Sequence, residues 1–190
     1  MSIFSSDKLK GKKIAIVATD GFEQVELTEP KKYLENEGAE VHVISLKSGS
    51  IKGWDETDWG DKVDVDKVIT DARVADYDAL VLPGGQINPD KLRVEQDVVN
   101  FVGEFMRSGK VVAAICHGPW TLIETGLVHG KKMTSYPSIK TDLKNAGAHW
   151  EDSEVVVDKG LITSRNPNDI PAFNKKIVEE ILEGTHASRS

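Results

Sequence analysis

Val111-Val112-Ala113-Ala114-Ile115-Cys116-His117-Gly118-Pro119 is the stretch that decides how this chain is read. Five consecutive apolar residues, β-branched at both ends, suit a strand buried on both faces. A thiol follows at once, and Gly118-Pro119 then forces a tight turn into a helix. That is the geometry of a nucleophile elbow, which places one side chain at the ligand-binding edge of a sheet and aims the first amides of the next helix at it. Such amides favour thiolate over thiol, so the expectation is that Cys116 ionises below the free-cysteine value of about 8.5. The plainer alternative is a small core residue. Ala114 and Gly118, two residues to either side of Cys116, favour the strained elbow, which excludes bulky neighbours.

Outward from the elbow, strands are expected within residues 13–19, at 41–44 and at 78–82, the last ending in Pro83-Gly84-Gly85. Residues 155–157 and 161–163 flank Asp158-Lys159-Gly160 and suggest a hairpin. Helical spacing runs over 25–37 up to Gly38, with Pro30 in the first turn or bending it, and over 97–107 up to Gly109. Short helices are expected at 121–125 and 139–146, and a last one from an N-cap near Asn168 to Gly184, with residues 185–190 frayed. Strands alternating with helices imply right-handed crossovers and an α/β fold, a mostly parallel sheet with helices on both faces. No internal repeat or linker interrupts it.

The 190 residues carry 24 basic and 31 acidic side chains, a formal charge of −7, so the basic footprint that nucleic acid requires as an obligate partner is missing. At 39% hydrophobic and 29% charged, the composition is that of a soluble globular chain long enough to bury a core without staples. One cysteine excludes an intrachain disulfide and fits a reducing compartment. With no secretory signal and no apolar run near the roughly 20 residues that span a bilayer, the cytoplasm is the expected location and no membrane partner is expected. Residues 46–66 set Trp54 and Trp59 among six aspartates and glutamates, which invites a calcium reading. Thr57 and Trp59 fall at ligand places after Asp55, so the segment reads as a solvated hairpin, and no metal is expected.

Around the thiol, Pro83-Gly84-Gly85 supplies a loop without side chains that lets a backbone amide approach a reacting oxygen, although a plain tight turn explains it equally. Glu23 and Glu26 open the first helix at the same sheet edge, where either can hydrogen-bond the thiol or simply answer the helix dipole. His117 adjoins Cys116, and adjacency is a poor arrangement for a general base, so its backbone N–H is expected to matter more than its ring. His149-Trp150-Glu151 mimics the His-x-Glu of a cysteine amidotransferase but follows a helix end and reads as a surface strand.

Ala-Ile-Cys-His-Gly-Pro at 114–119, Phe-Glu-x-x-Glu-Leu at 22–27, Leu-Pro-Gly-Gly at 82–85, Thr-Ser-Tyr-Pro at 134–137, Glu-Val-Val-Val-Asp at 154–158 and Thr-Ser-Arg-x-Pro at 163–167 together resemble the PfpI/ThiJ family. Within that superfamily, which includes the parkinsonism-associated deglycase, the chain is most similar to the bacterial general stress proteins and the intracellular protease branch. The resemblance implies a flavodoxin-like three-layer sandwich, shared with class I glutamine amidotransferases, in one domain over 12–183 with tails at 1–11 and 184–190. It implies Cys116 as nucleophile with His117 beside it, Glu26 bonded to the thiol, and Glu23 in the pocket. The amides of Gly85 and of His117 or Gly118 would form an oxyanion site, and Tyr136 would line the mouth. Asp90, after Pro89, would stand where the protease branch has a glutamate that orients the histidine of a neighbouring subunit, so at least a homodimer is implied. Ala114 replaces the amidotransferase glycine and the His-Pro-Glu is missing, which argues against glutaminase activity.

The activity so implied is a stress-protective cysteine enzyme, a hydrolase without metal or organic cofactor. It would act on reactive carbonyls such as glyoxal and methylglyoxal, or on their protein adducts, as a deglycase or glyoxalase does. Peptide hydrolysis by the same thiol is the alternative within enzymes. A redox sensor or chaperone with an oxidisable cysteine is the alternative outside them.

Overall fold

A computed structural model describes residues 5–186. The chain runs through β1 (Lys13–Val17), β2 (Phe22–Glu23), α1 (Gln24–Asn36), β3 (Glu40–Ser45), β4 (Ser50–Asp55), β5 (Asp58–Asp64), β6 (Lys67–Val68) and β7 (Ala79–Leu82). It continues through α2 (Ile87–Leu92), α3 (Gln96–Ser108), β8 (Val111–Ile115), α4 (Pro119–Ile123), β9 (Lys132–Met133), α5 (Lys140–Asn145), β10 (His149–Trp150), β11 (Val156–Asp158), β12 (Leu161–Ser164) and α6 (Ile170–Glu183). Seven strands form the main sheet in the order β11-β12-β8-β7-β1-β3-β6, and all neighbours are parallel except the β11–β12 hairpin.

Strand periodicity explains the two layers of core. Ile14 and Ile16 of β1 face one side with Val81, Ala113 and Ile115, where α1 and α6 cover them through Leu27, Leu34, Phe173 and Ile177. Ala15 and Val17 face the other side with Leu80, Leu82, Val112 and Ala114, beneath Val98, Val102 and Phe105 of α3. Both faces of β8 are fully covered, as five apolar residues without alternation require. Each of the valine, leucine, isoleucine and phenylalanine side chains so taken from water contributes roughly 1.5–3 kcal/mol, and the alanines less.

Several boundaries differ from expectation. Residues 6–11 are not a tail: Leu9 is fully buried in the core, and Ser6 and Leu9 donate backbone hydrogen bonds to the carbonyls of Asn36 and Glu37. The short helix after the elbow begins two residues early at Pro119, because proline suits the first helical turn. Pro30 is the seventh residue of α1, beyond its first turn. Asn166, not Asn168, provides the side-chain cap, and it caps a 3-10 turn over Pro167–Asp169, with α6 starting at Ile170. At the other end Thr185 and His186 are described, His186 donating its N–H to Gly109, and residues 187–190 of the expected frayed end lie outside the described residues. Residues 46–66 do form a hairpin, β4–β5, whose Trp54 and Trp59 rings meet edge to face at 5.5 Å. β2 pairs with β4, so this hairpin is tied to the start of α1 and stands beside the sheet edge that matters next.

Candidate active site

After β1 the chain passes through β3 on one side and returns to β7 on the other, so the parallel strands part company between β1 and β7. Ligands bind at the carboxyl ends of strands at such a switch point. Glu26 follows β1, Gly85 follows β7, and Cys116 follows β8, and together they border a cleft of about 500 Å³. Trp54 and Glu56 from the hairpin, Glu23, His117, Tyr136 and Pro167 stand on its walls.

Cys116 has φ +62, a left-handed conformation that costs a non-glycine residue about 1–2 kcal/mol. Three backbone hydrogen bonds hold it: Cys116 N–H to Ser164 O at 3.0 Å, Gly118 N–H to Ile115 O at 2.8 Å, and Tyr136 N–H to Cys116 O at 2.9 Å. Gly118 is required for packing, since a Cβ there would lie 2.5 Å from the Leu82 carbonyl oxygen and 2.9 Å from that of Ile115. Its amide is committed to Ile115, so it cannot serve the oxyanion site that the sequence shared between it and His117. The backbone N–H groups of Gly85 and His117 are the pair directed at the sulfur.

The left-handed turn also overturns the expectation for the His117 ring. It swings the imidazole back so that Nδ1 stands 3.2 Å from the Cys116 sulfur, a reach that two consecutive helical residues do not have. Nε2 lies 3.1 Å from Ser138 Oγ, Tyr136 stacks on the ring at 4.8 Å, and Trp120 meets it edge on at 5.2 Å. Burial holds its pKa below the ordinary histidine value, so the ring is neutral at pH 7. Ser138 and Trp120 escaped the sequence reading. The signal for Ser138 was its place directly after Thr-Ser-Tyr-Pro. Asp90 is exposed on α2 and does not touch His117 within the chain.

Glu26 is completely buried. Its Oε1 accepts the Gly84 N–H at 2.9 Å, and its carboxyl also hydrogen-bonds the Cys116 thiol. Burial, and then the charge of Glu23, push its pKa up to about 8. It is therefore a protonated acid at neutral pH, not a charge answering the helix dipole. Glu23 is half-buried, caps nothing with its side chain, and is itself raised by burial.

The expected low thiol pKa is not what this environment provides. Burial pushes the Cys116 thiol up, and an ionised Glu26 pushes it further, against the amides of Gly85 and His117. A five-residue α4 brings little macrodipole to offset that. Below pH 8 Glu26 keeps its proton, so its charge does not act on the sulfur, and the two groups titrate as one pair.

Gly84 is the wedge between them. A Cβ there would sit 2.5 Å from Glu26 Oε1, 2.7 Å from Cys116 Cβ and 2.9 Å from the Ile115 carbonyl. Gly84→Ala is expected to cost about 1–3 kcal/mol in urea unfolding, the usual toll of overpacking, and to lower activity with it. Unchanged stability and activity together would contradict this packing.

Among the described residues, the one grouping with metal-ligand convergence is Glu180, Glu183 and His186. It lies at the end of α6 near Gly109, at the opposite edge of the sheet from the cleft. His149 and Trp150 form a strand paired with β9 and take no part in the site. No described helix is long and apolar enough to cross a membrane.

The sequence profile of the DJ-1/PfpI family matches residues 12–180. Over 166 residues the chain is 46% identical to a Bacillus subtilis protein named "Putative cysteine protease YraA", covering 87% of this chain and 95% of that one. Over 167 residues it is 46% identical to protein/nucleic acid deglycase 2 of Escherichia coli, with the same coverage. Among solved structures, Drosophila melanogaster DJ-1beta superposes with a TM-score of 0.82 at 30% identity, covering 90% of each chain.

Proposed function

The chain belongs to the DJ-1/PfpI family, and on that premise we propose that it is a cysteine-dependent hydrolase of reactive carbonyls, free glyoxals or their early adducts on proteins, with a stress-protective role in the cytoplasm. The observation that carries this reading is Glu26, a fully buried acid that keeps its proton to about pH 8 beside the thiol of Cys116. A general acid-base works best with a pKa near the operating pH. Relatives named as deglycases support the same direction.

In this reading Cys116 adds to an aldehyde carbon as its thiol gives up its proton to the neutral His117 ring, whose Nδ1 stands 3.2 Å from the sulfur. The C–S bond forms while the carbonyl π pair moves onto oxygen, where the amides of Gly85 and His117 hold it. Glu26 protonates that oxygen to give a hemithioacetal. As a carboxylate, Glu26 then takes the proton from the former aldehyde carbon, and the enediol so formed is reprotonated at the neighbouring carbon, leaving a thioester. Water hydrolyses the thioester, regenerates the thiol and releases a 2-hydroxy acid. Methylglyoxal plus water thus becomes lactate, with no oxidant consumed.

Proton NMR of methylglyoxal with the protein is expected to show lactate accumulating, and protein capped with iodoacetamide is expected to make none. The 3.2 Å contact of His117 with the sulfur favours a second reading, a cysteine–histidine peptidase. Cleavage of a fluorogenic peptide, with methylglyoxal consumed no faster than in buffer, would replace the first reading by the second.

A homo-oligomer, at least a dimer, belongs to the proposal, because Asp90 can orient His117 only from another subunit. Light scattering at micromolar concentration is expected to give a mass of at least twice the 20.9 kDa chain. A monomer would remove Asp90 from the site.

A further inference from the structure

The walls of the cleft are uneven in charge. Among its lining residues there is no lysine or arginine, while Glu23 and Glu56 stand at the mouth and Asp55 adds its charge to theirs. Arg165, close in sequence to the lining Pro167, is spent on Asp169 at 2.9 Å and Asp152 at 2.8 Å. The backbone that carries Glu56 is fixed, and it in turn holds the Glu23 carboxylate. Glu56 sits at the tip of the β4–β5 hairpin with φ +55, its carbonyl accepts the Trp54 indole N–H at 3.1 Å, and its own amide favours the ionised form of Glu23. Trp54 and Tyr136 present aromatic surface to the same space.

Resting on the carbonyl-enzyme reading of this site, we propose that the cleft selects carbonyl compounds that also carry a cationic group, an ammonium or guanidinium, recognised by Glu23 and Glu56 with Trp54 as the aromatic wall. Two carboxylates beside an aromatic face attract such a cation by direct charge and by the ring quadrupole. A low-dielectric cleft lined by one sign of charge also raises the local concentration of the opposite sign. The same rim disfavours substrates that carry a carboxylate, so neutral methylglyoxal is a minimal substrate rather than the best one.

The test needs no knowledge of the true substrate. Two methanethiosulfonates of similar size, one bearing a trimethylammonium and the other a sulfonate, both cap Cys116 as a mixed disulfide, the S–S bond forming as the S–SO2 bond breaks and methanesulfinate leaves. Their rate ratio, divided by the ratio for a small free thiol, reads the electrostatic field at the sulfur. Field focusing predicts that the cation reacts faster by about tenfold or more after this normalisation. Glu23→Gln and Glu56→Gln should each reduce the ratio by roughly threefold, and added salt should reduce it as well. Glu56 is exposed on a hairpin tip, so its substitution does not endanger folding. A normalised ratio near one overturns the proposal. A high ratio that neither substitution lowers also overturns it, by assigning the field to the net charge of the whole chain. Either result leaves methylglyoxal conversion standing, and loss of that conversion with the ratio intact would instead remove the carbonyl reading.

Discussion

Glu26→Gln is expected to lower methylglyoxal turnover by roughly 10² to 10⁴, the usual loss when a general acid-base is removed. Glutamine keeps the volume and can still accept from the Gly84 N–H, so the wedge between Glu26 and Cys116 survives the change. What disappears is a proton that can be released and recovered. In the wild type, turnover that depends on protonated Glu26 should fall as pH rises through about 8. Glu23→Gln is the comparison, since Glu23 is half-buried on the wall and answers a backbone amide on the hairpin. Single-turnover consumption with melting temperature as a control decides the matter. Equal and small losses for both variants would leave Glu26 without a catalytic role.

The same substitution should change how stability depends on pH. In the folded chain Glu26 holds its proton to about 8, whereas its ordinary value is 4.5. Between those two values the folded state binds more protons than the unfolded one, so stability falls as pH rises. The contribution of Glu26 is therefore fully present below pH 4.5 and is lost progressively up to about pH 8. A shift of that size corresponds to at most roughly 5 kcal/mol. Glu26→Gln has no proton to lose, so relative to wild type it should grow more stable across this window and level off above it. Urea unfolding of both proteins at pH 4.5, 6 and 8 measures the difference directly. Parallel curves would mean that Glu26 ionises normally, and the mechanism would lose its acid. A residue that costs stability at the pH where it works is the expected signature of a functional group.

Much of this was legible in the sequence because it rests on local patterns. The run from Val111 to Ile115 has no polar residue to turn toward water, so it had to be a central strand, and the turn after it had to carry Cys116 to the sheet edge. Alternating strands and helices then left few topologies, and motif order narrowed these to the family fold. The β4–β5 hairpin was readable from its acidic, tryptophan-bearing composition, but its position over the cleft was not. That depends on the pairing of β2 with β4, a contact about thirty residues apart in the chain.

Sequence by itself determined the α/β sandwich, the thiol at an elbow, and a carboxylate at the start of α1 within reach of it. Tertiary structure alone decided which groups act on the sulfur and in what state. The direction of the His117 ring follows from one left-handed φ at Cys116, which helical spacing does not describe. The choice of His117 over Gly118 as an amide donor follows from Ile115 claiming the Gly118 N–H first. The protonation of Glu26 follows from its complete burial, and the upward push on the thiol follows from burial joined to that neighbour. Patterns along the chain report propensity and periodicity, whereas pKa and ring orientation are set by desolvation and by contacts between segments far apart in sequence.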